Sequence, residues 1–305
     1  MAQDKSYPIT RTLRVDAGST TGSILEINAE QYLSKANRRL YRQARKYRCK
    51  IDMDPDSSQV MHVYALADTW MAERALKMGY ANYLENSSSE RDGIKKSNLA
   101  RWEDFRVLSG LNAGHSHPSV FIGPPFSPSP LTAGEFENTI VVDNLGVARN
   151  FTWARVTTPN LYSMLMEYDQ AGNAQPSPDT STSTMPYDDL MADDSQVLAN
   201  ALQVRGNTPP YLDTGVQGQW VKVGVLQSEK ATASSGSRLS TGFFDAPCGI
   251  IAVVADTGSI IPATSVLSLT VQSGDYKGVH APSMLDGVHS SGTQGTWKGN
   301  VWTKN

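Results

Sequence analysis

The alternation of apolar and polar residues is sharpest between positions 46 and 53. Tyr47, Cys49, Ile51 and Met53 fall on one side of an extended backbone there, and the residues between them are charged. Side chains that alternate with a period of two lie on opposite faces of a strand. The pattern predicts a strand with an apolar, buried face and a basic face.

A second strand and a helix are predicted directly after this one. Val60–Ala67 (VMHVYALA) follows the turn-forming run DPDSS, so the two strands are expected to form a hairpin. Apolar residues then recur at helical spacing over positions 72–84, with Asp68 or Thr69 as the N-cap. A second helical stretch is expected to follow the first, so the sequence predicts a helical insertion at about 68–105.

Short strand-like segments, bounded by Gly, Pro or Asn, recur through the rest of the chain. They are Leu13–Val15, Ile24–Ile27, Thr139–Asp143, Phe151–Thr157, Tyr162–Tyr168, Trp220–Gln227, Gly249–Ala255 and Val266–Gln272. Leu and Val residues between 190 and 202 predict one further helix. Because strands dominate without regular strand–helix alternation, the pattern favours a β-sandwich or jelly roll over a doubly wound fold.

Two stretches are predicted to be exposed loops because their composition opposes regular structure. Residues 111–135 contain five prolines, which leave few backbone donors for a helix or a central strand. Residues 170–186 (QAGNAQPSPDTSTSTMP) are polar and of low complexity. Both stretches are expected to run over the surface between elements.

Charge is distributed unevenly along the chain. The 305 residues carry 27 Lys and Arg against 30 Asp and Glu, and this net charge of −3 argues against a general nucleic-acid binder. Residues 35–50, however, hold eight of the basic residues and no acid, which leaves 19 basic residues against 30 acidic ones elsewhere. The basic run therefore stands apart in an otherwise acidic protein.

The basic run is a candidate site for nucleic acid. Its cations can neutralise phosphates, and the rings of Tyr41 and Tyr47 can stack on unpaired bases. The predicted contact residues are Arg38, Arg39, Arg42, Arg45, Lys46, Arg48 and Lys50. A solvated strand face or an ion-paired subunit contact explains the run equally well, and a nuclear-localisation signal is a further interpretation.

Three carboxylates have the spacing of metal ligands. Asp52, Asp54 and Asp56 alternate like the first three ligands of a calcium loop. Ser57 at the sixth loop position and Val63 at the twelfth exclude an EF-hand. A looser calcium site at a subunit contact is the alternative to solvated turn carboxylates, which the sequence favours.

Catalytic motifs are not found in the sequence, so no enzymatic activity is expected. Phosphate-binding Gly-rich loops, G-x-S-x-G and H-E-x-x-H are all missing. His115 and His117 lie two residues apart in the proline-rich loop, where exposed histidines are favoured over metal ligands. Cys49 and Cys248 are predicted to be separate core residues. No apolar run approaches the roughly 20 residues of a membrane span, and no secretory signal is expected.

A family resemblance is carried by three segments, VYALADTW (63–70), ARWEDFRV (100–107) and SGDYKGVHAPSML (273–285). They are similar to stretches of capsid proteins from circular Rep-encoding single-stranded DNA viruses. The resemblance implies a single jelly-roll β-sandwich with helical insertions and long surface loops, which assembles with copies of itself into an icosahedral shell. It also implies an enclosed single-stranded genome, a host receptor of unknown identity, and localisation in the virion and, during assembly, in the host cell, including its nucleus.

The resemblance divides the chain into three parts. Residues 1–34 form an N-terminal arm or edge strands, residues 35–285 the jelly-roll shell domain, and residues 286–305 a C-terminal tail. Many such capsid proteins begin with a long Arg/Lys-rich arm, whereas this chain begins MAQDKSYPITRTLRVDAGSTTGS. Genome binding is therefore expected to concentrate on the basic run at 35–50.

Two other functions compete with the capsid interpretation. A non-viral β-sandwich module that binds carbohydrate or another ligand would use Trp220, Trp297 or Trp302 as stacking platforms. A hydrolase with a dispersed carboxylate site is the second alternative. Particles in electron microscopy would favour the capsid protein, whereas a monomer that binds glycans would favour the module.

Overall fold

Antiparallel sheets dominate the part of the chain that the structure describes. The computed structural model describes residues 8–16, 24–55, 59–87, 105–109, 119–121, 128–130, 139–142, 148–153, 161–165, 220–228, 236–256, 261, 266–286, 295–298 and 301–304. The helices in these residues are α1 (Ala29–Asn37) and α2 (Trp70–Asn86). The strands are β1 (Thr12–Asp16), β2 (Ile24–Asn28), β3 (Lys46–Met53), β4 (Val60–Leu66), β5 (Ser119–Phe121), β6 (Pro128–Pro130), β7 (Ile140–Val142), β8 (Ala148–Thr152), β9 (Leu161–Ser163), β10 (Trp220–Gln227), β11 (Phe244–Pro247), β12 (Ile250–Ala255), β13 (Val266–Val271), β14 (Gly295–Lys298) and β15 (Val301–Lys304). The protein is mainly β, as the sequence predicts.

Two sheets enclose the main hydrophobic core. One has the strand order β11-β3-β13-β1-β5-β6, the other has the order β10-β4-β12-β2, and all neighbouring strands in both are antiparallel. Buried side chains from both sheets, including Val15, Ile51, Val63 and Val253, belong to one cluster. The arrangement is a β-sandwich with its core between the sheets.

Strand β3 has the alternation that the sequence predicts. Tyr47, Cys49, Ile51 and Met53 are buried, and the residues between them are only partly buried. The predicted strands at 60–67, 220–227, 249–255 and 266–272 are also present, as β4, β10, β12 and β13. Period-two patterning therefore identifies both the strands and their core-facing sides.

The predicted hairpin between β3 and β4 is wrong. Strand β3 pairs with β11 and β13, whereas β4 pairs with β10 and β12 in the opposite sheet. A short turn fits either a hairpin or a passage from one sheet to the other. The passage lets the apolar faces of both strands enter the same core from opposite sides.

Strand β1 and helix α1 differ from the sequence expectation of an arm or edge strands, whereas β2 agrees with it. Strand β1 lies between β13 and β5 and is not an edge strand, whereas β2 is at the edge of the four-stranded sheet. Leu13 and Ile27 bring both strands into the core. Helix α1 was not predicted. It begins immediately after β2 and buries Tyr32 and Leu33 completely.

Helix α2 agrees with the predicted helix, including its start. The hydroxyl of Thr69 accepts a hydrogen bond from the amide of Ala72 at 3.2 Å, as expected for an N-cap. Asp68, the alternative cap, pairs instead with Lys46. The second helical stretch, the 170–186 loop and the helix near 190–202 lie outside the described residues.

The proline-rich segment contains two short strands that extend the larger sheet. Strand β6 carries Pro128 and Pro130 and lies at the sheet edge, where missing amide donors cost least. Strand β5, which has no proline, joins β6 to β1. Three more strands form a separate sheet in the order β7-β8-β9, and β14 pairs with β15.

A second hydrophobic cluster lies on the opposite side of the four-stranded sheet from the main core. Leu66 and Ile250 contribute to it from the sheet, and Leu76, Phe105 and Trp153 pack there. Most of its other members come from α2, from the segment at 105–107, and from strand β8 and the residue that follows it. The cluster adds an outer layer to the sandwich.

Buried polar contacts join this outer layer to α1 and to the loop that follows it. Arg106 Nη1 lies 3.4 Å from Glu30 Oε1, and both side chains are buried. The side chain of Gln43 donates to the carbonyl of Val107 at 2.9 Å and accepts from its amide at 2.6 Å. The amide side chain thus pairs with an extended backbone as a neighbouring strand would.

Candidate nucleic-acid interface

The strand half of the basic run lies on the outward face of β3. Lys46, Arg48 and Lys50 alternate with core residues there, and each has an acidic neighbour. The cation–carboxylate distances are 2.8 Å for Lys46–Asp68, 3.5 Å for Lys46–Glu73, 3.7 Å for Arg48–Asp245 and 2.8 Å for Lys50–Asp52. The positive charge of this half is compensated by acids of the same chain.

Lys46 is the most constrained of the three cations. Burial opposes its charged form, but the hydrogen bond to Asp68 and the charges of Asp68 and Glu73 outweigh burial and raise the pKa of Lys46. The side chain stays protonated and links the start of α2 to β3. Such a cation is engaged within the subunit.

The loop half of the run begins where α1 ends. Arg38 terminates the helix in the left-handed conformation, with φ 50° and ψ 42°, and its amide donates to the carbonyl of Ser34. Arg38 and Arg39 are exposed. Within the described ranges, neither of these two arginines forms an ion pair with an acid. The unbalanced positive charge of the run therefore lies here.

The predicted stacking of bases on Tyr41 and Tyr47 is wrong, because both side chains are fully buried. The hydroxyl of Tyr41 donates to the carbonyl of Lys277 at 3.0 Å, and that of Tyr47 donates to the carbonyl of Arg42 at 2.6 Å. Burial raises the pKa of Tyr41, against the opposing charge of Arg39. The two buried rings hold the loop against the main core, and the exposed cations Arg38 and Arg39 stay at the surface.

The loop is held in place by a turn at residues 276–278, which the sequence did not single out as a site. The guanidinium carbon of Arg45 lies 3.5 Å from the ring centroid of Tyr276, and Arg45 donates to the carbonyl of Ala281 at 2.8 Å. Lys277 places its ammonium 5.2 Å from the same centroid and donates to the carbonyl of Leu40. More than 230 residues separate these partners, as in the Tyr41–Lys277 pair at 236, so only the fold reveals them.

The predicted calcium ligands are not brought together in the described residues. Asp52 pairs with Lys50, Asp54 is exposed, and Asp56 lies outside the described ranges. No group of three potential ligands that could hold a metal ion occurs among the residues whose positions the structure gives. His115 and His117 also lie outside these residues.

The remaining candidates take up structural positions. Cys49 belongs to the main core and Cys248 to the outer cluster, and both are buried and not joined by a disulfide, as predicted. Burial is the main cause that raises the pKa of Cys49. Trp220 is only partly exposed and packs against the outer cluster.

In the part of the chain that the structure covers, no helix is long and apolar enough to span a membrane. No protein-family model, curated protein or solved structure matches the chain.

Proposed function

We propose that this chain is a capsid protein whose sandwich is a single jelly roll with helical insertions and long surface loops. Copies of it assemble into an icosahedral shell around a nucleic-acid genome, and the chain itself performs no catalysis. The observation that supports this proposal best is the pairing order of eight of the ten sandwich strands, namely β1 to β4 and β10 to β13 in chain order.

The eight strands pair from the outside inwards. The first pairs with the eighth, the second with the seventh, the third with the sixth and the fourth with the fifth. Successive pairs alternate between the two sheets. Such an order is expected when one long antiparallel hairpin is rolled up around a common core, and it therefore supports the proposal of a jelly roll.

Jelly rolls occur in viral capsids, lectin domains and cupins, so topology alone leaves the function open. The similarity of residues 63–70, 100–107 and 273–285 to capsid proteins favours the first of these. Residues 63–66 belong to β4, Phe105 and Val107 to the outer cluster, and residues 276 and 277 to the turn that holds the basic loop. The similarity therefore extends beyond one short motif.

The proposal is tested by electron microscopy of the purified recombinant protein, with size-exclusion chromatography over a range of salt and pH. We expect closed particles of uniform diameter that elute far ahead of a 33.2 kDa monomer. We also expect a raised ratio of absorbance at 260 to 280 nm from copurifying nucleic acid.

A protein that stays monomeric under all of these conditions would overturn the shell proposal. If that monomer also bound a glycan array, the ligand-binding module would be the better explanation. Particles that form without nucleic acid would support the shell and separate its assembly from genome binding.

A further inference from the structure

The cations of the loop half belong to a larger surface cluster. Three segments meet at the end of α1, namely residues 9–11, 37–45 and 276–278. Asn37 and Thr10 exchange two hydrogen bonds at 2.8 and 3.0 Å, and the Cβ of a residue at 278 would contact Ile9. The hydrogen bonds of Tyr41 and Lys277 join the remaining pair of segments.

We infer that this cluster, here called the basic corner, binds the phosphodiester backbone of single-stranded nucleic acid. It contains Arg11, Arg38, Arg39, Arg42, Arg45 and Lys277. Arg11, Arg38 and Arg39 are exposed. The inference deepens the proposed function, on which it rests for the identity of the ligand as a genome. It moves the site away from the strand face of β3 and adds two residues from outside the basic run.

Charge compensation distinguishes the basic corner from the strand face. Lys46, Arg48 and Lys50 each have a carboxylate within 4 Å, so a phosphate would have to displace an existing partner. In the described part of the chain, the ion pairs include no acid bound to Arg11, Arg38, Arg39 or Arg45. A phosphate gains the attraction of these cations without such a competition.

The corner is also held rigidly enough to bind without reordering. Arg45 is fixed over the ring of Tyr276, and the hydroxyl of that tyrosine accepts a hydrogen bond from the amide of Arg42 at 3.1 Å. The carbonyl of Arg42 accepts from Tyr47 on the other side. A backbone that is fixed before binding loses little conformational entropy when phosphates arrive.

The buried aromatic rings determine the mode of recognition. Tyr41 and Tyr47 are fully buried, and the ring of Tyr276 is covered by Arg45. Base stacking, the usual source of contacts to unpaired bases, has no open ring at this corner in the described residues. Recognition is therefore directed at phosphates and is independent of base sequence.

The test measures binding of fluorescein-labelled dT30 and dA30 by anisotropy at several salt concentrations, with wild type and a triple variant Arg11→Gln, Arg38→Gln, Arg39→Gln. Loss of three phosphate contacts lowers the salt slope by about 2, which weakens binding about 100-fold at 0.1 M salt. Wild type is expected to bind the two oligonucleotides equally well.

Two further variants serve as controls. Arg74→Gln, Lys222→Gln, Arg238→Gln removes the same charge from exposed positions outside the corner and is expected to keep its affinity within about threefold. Arg11→Lys, Arg38→Lys, Arg39→Lys keeps the charge and is expected to retain most of the binding. Thermal unfolding verifies that each variant is folded.

Several outcomes would overturn the inference. One is an equal loss of binding in the corner variant and in the Arg74/Lys222/Arg238 control. Another is a loss of the same size in the double variant Arg48→Gln, Lys50→Gln, which would return the site to the strand face. A strong preference for dT30 or dA30 would exclude recognition through phosphates alone.

Failure of this inference and failure of the shell proposal give different results. Particles that form in electron microscopy and package nucleic acid equally well with the corner variant contradict the basic corner and leave the shell intact. A persistent monomer whose binding to dT30 still depends on the corner contradicts the shell and supports the corner.

Discussion

Gly249 lies in the short turn between β11 and β12, where the chain passes from one sheet to the other. It follows Cys248, and the two residues have positive φ angles of 67° and 56°. Its carbonyl accepts a hydrogen bond from the amide of Ala29 at 2.8 Å. A Cβ at this position would lie 2.7 Å from a carboxylate oxygen of Glu30 and 3.3 Å from its amide nitrogen.

We expect Gly249→Ala to lower the free energy of unfolding by about 2–5 kcal/mol. The left-handed backbone costs a residue with a side chain about 1–2 kcal/mol, and crowding against buried Glu30 adds about 1–3 kcal/mol. Urea unfolding followed by tryptophan fluorescence measures the difference from wild type.

Gly242→Ala is the matched control for this change. Gly242 has a similar φ of 72°, but a Cβ there would meet nothing within 4 Å. The control is expected to cost about 1–2 kcal/mol, the backbone contribution alone. Equal losses in the two variants would show that crowding at Glu30 has no part in the effect.

At the scale of elements, charge attaches the start of α2 to β3. Glu73 lies 2.8 Å from Lys77 in its own helix and 3.5 Å from Lys46 in the strand. The hydrogen bond from Lys77 is the main cause that lowers the pKa of Glu73. Burial opposes it, and the charges of Lys77 and Lys46 reinforce it.

We expect Glu73→Gln to lower stability at pH 7 and to have little effect at pH 3. A carboxyl whose folded pKa lies below its ordinary value of 4.5 stabilises the fold above that value. The contribution is lost as pH falls through the lower folded pKa. Because the side chain is 34% exposed, the effect at pH 7 is on the order of 0.2–1 kcal/mol.

Urea unfolding of wild type and variant at both pH values measures this difference. The two proteins are expected to diverge at neutral pH and to converge in acid, where the carboxyl is protonated. A difference of the same size at pH 3 would attribute the effect to packing instead of charge.

Local patterns predicted the elements better than their partners. The alternation in β3 and the Thr69 cap of α2 are properties of neighbouring residues, so the sequence alone reveals them. The pairing of β3 with β11 and β13 depends on residues about 200 positions away. Helix α1 was not predicted, because most of its nine residues belong to the segment 1–34, for which an arm or edge strands are expected.

At the candidate site, too, local patterns were predictable from the sequence, whereas contacts between distant residues were not. Counting charges located the basic run, but the acids Asp68, Glu73 and Asp245, which compensate its strand half, come from other elements. Alternation indicated which side of β3 is buried and could have excluded Tyr47 from base stacking. Nothing local connects Tyr276 or Lys277 with residues 38–45.

At the scale of the whole molecule, the sheets have central and edge strands that should differ in local stability. Strands β3, β13, β4 and β12 each have a hydrogen-bonded neighbour on both sides, whereas β2 and β10 have one. Amides that are bonded and buried inside a sheet open only with much of the fold.

Hydrogen exchange measured by mass spectrometry on the purified protein tests this difference. Peptides from β4 and β12 are expected to exchange at least about tenfold more slowly than peptides from β2 and β10, the edges of the same sheet. Equal exchange across all four strands would contradict the expectation and indicate that the sheet opens as one unit.

The pairing of β1 with β13 also imposes a delay during synthesis of the chain, because β1 is made long before its partner. The hydroxyls of Thr12 and Thr270 lie 3.3 Å apart although 258 residues separate them along the chain. A ribosome adds roughly 5–20 residues per second, so β1 emerges about 13–50 s before the strand that covers it. During that interval β1 can pair only with the short strand β5. The six-stranded sheet is therefore completed only after β13 has been synthesised.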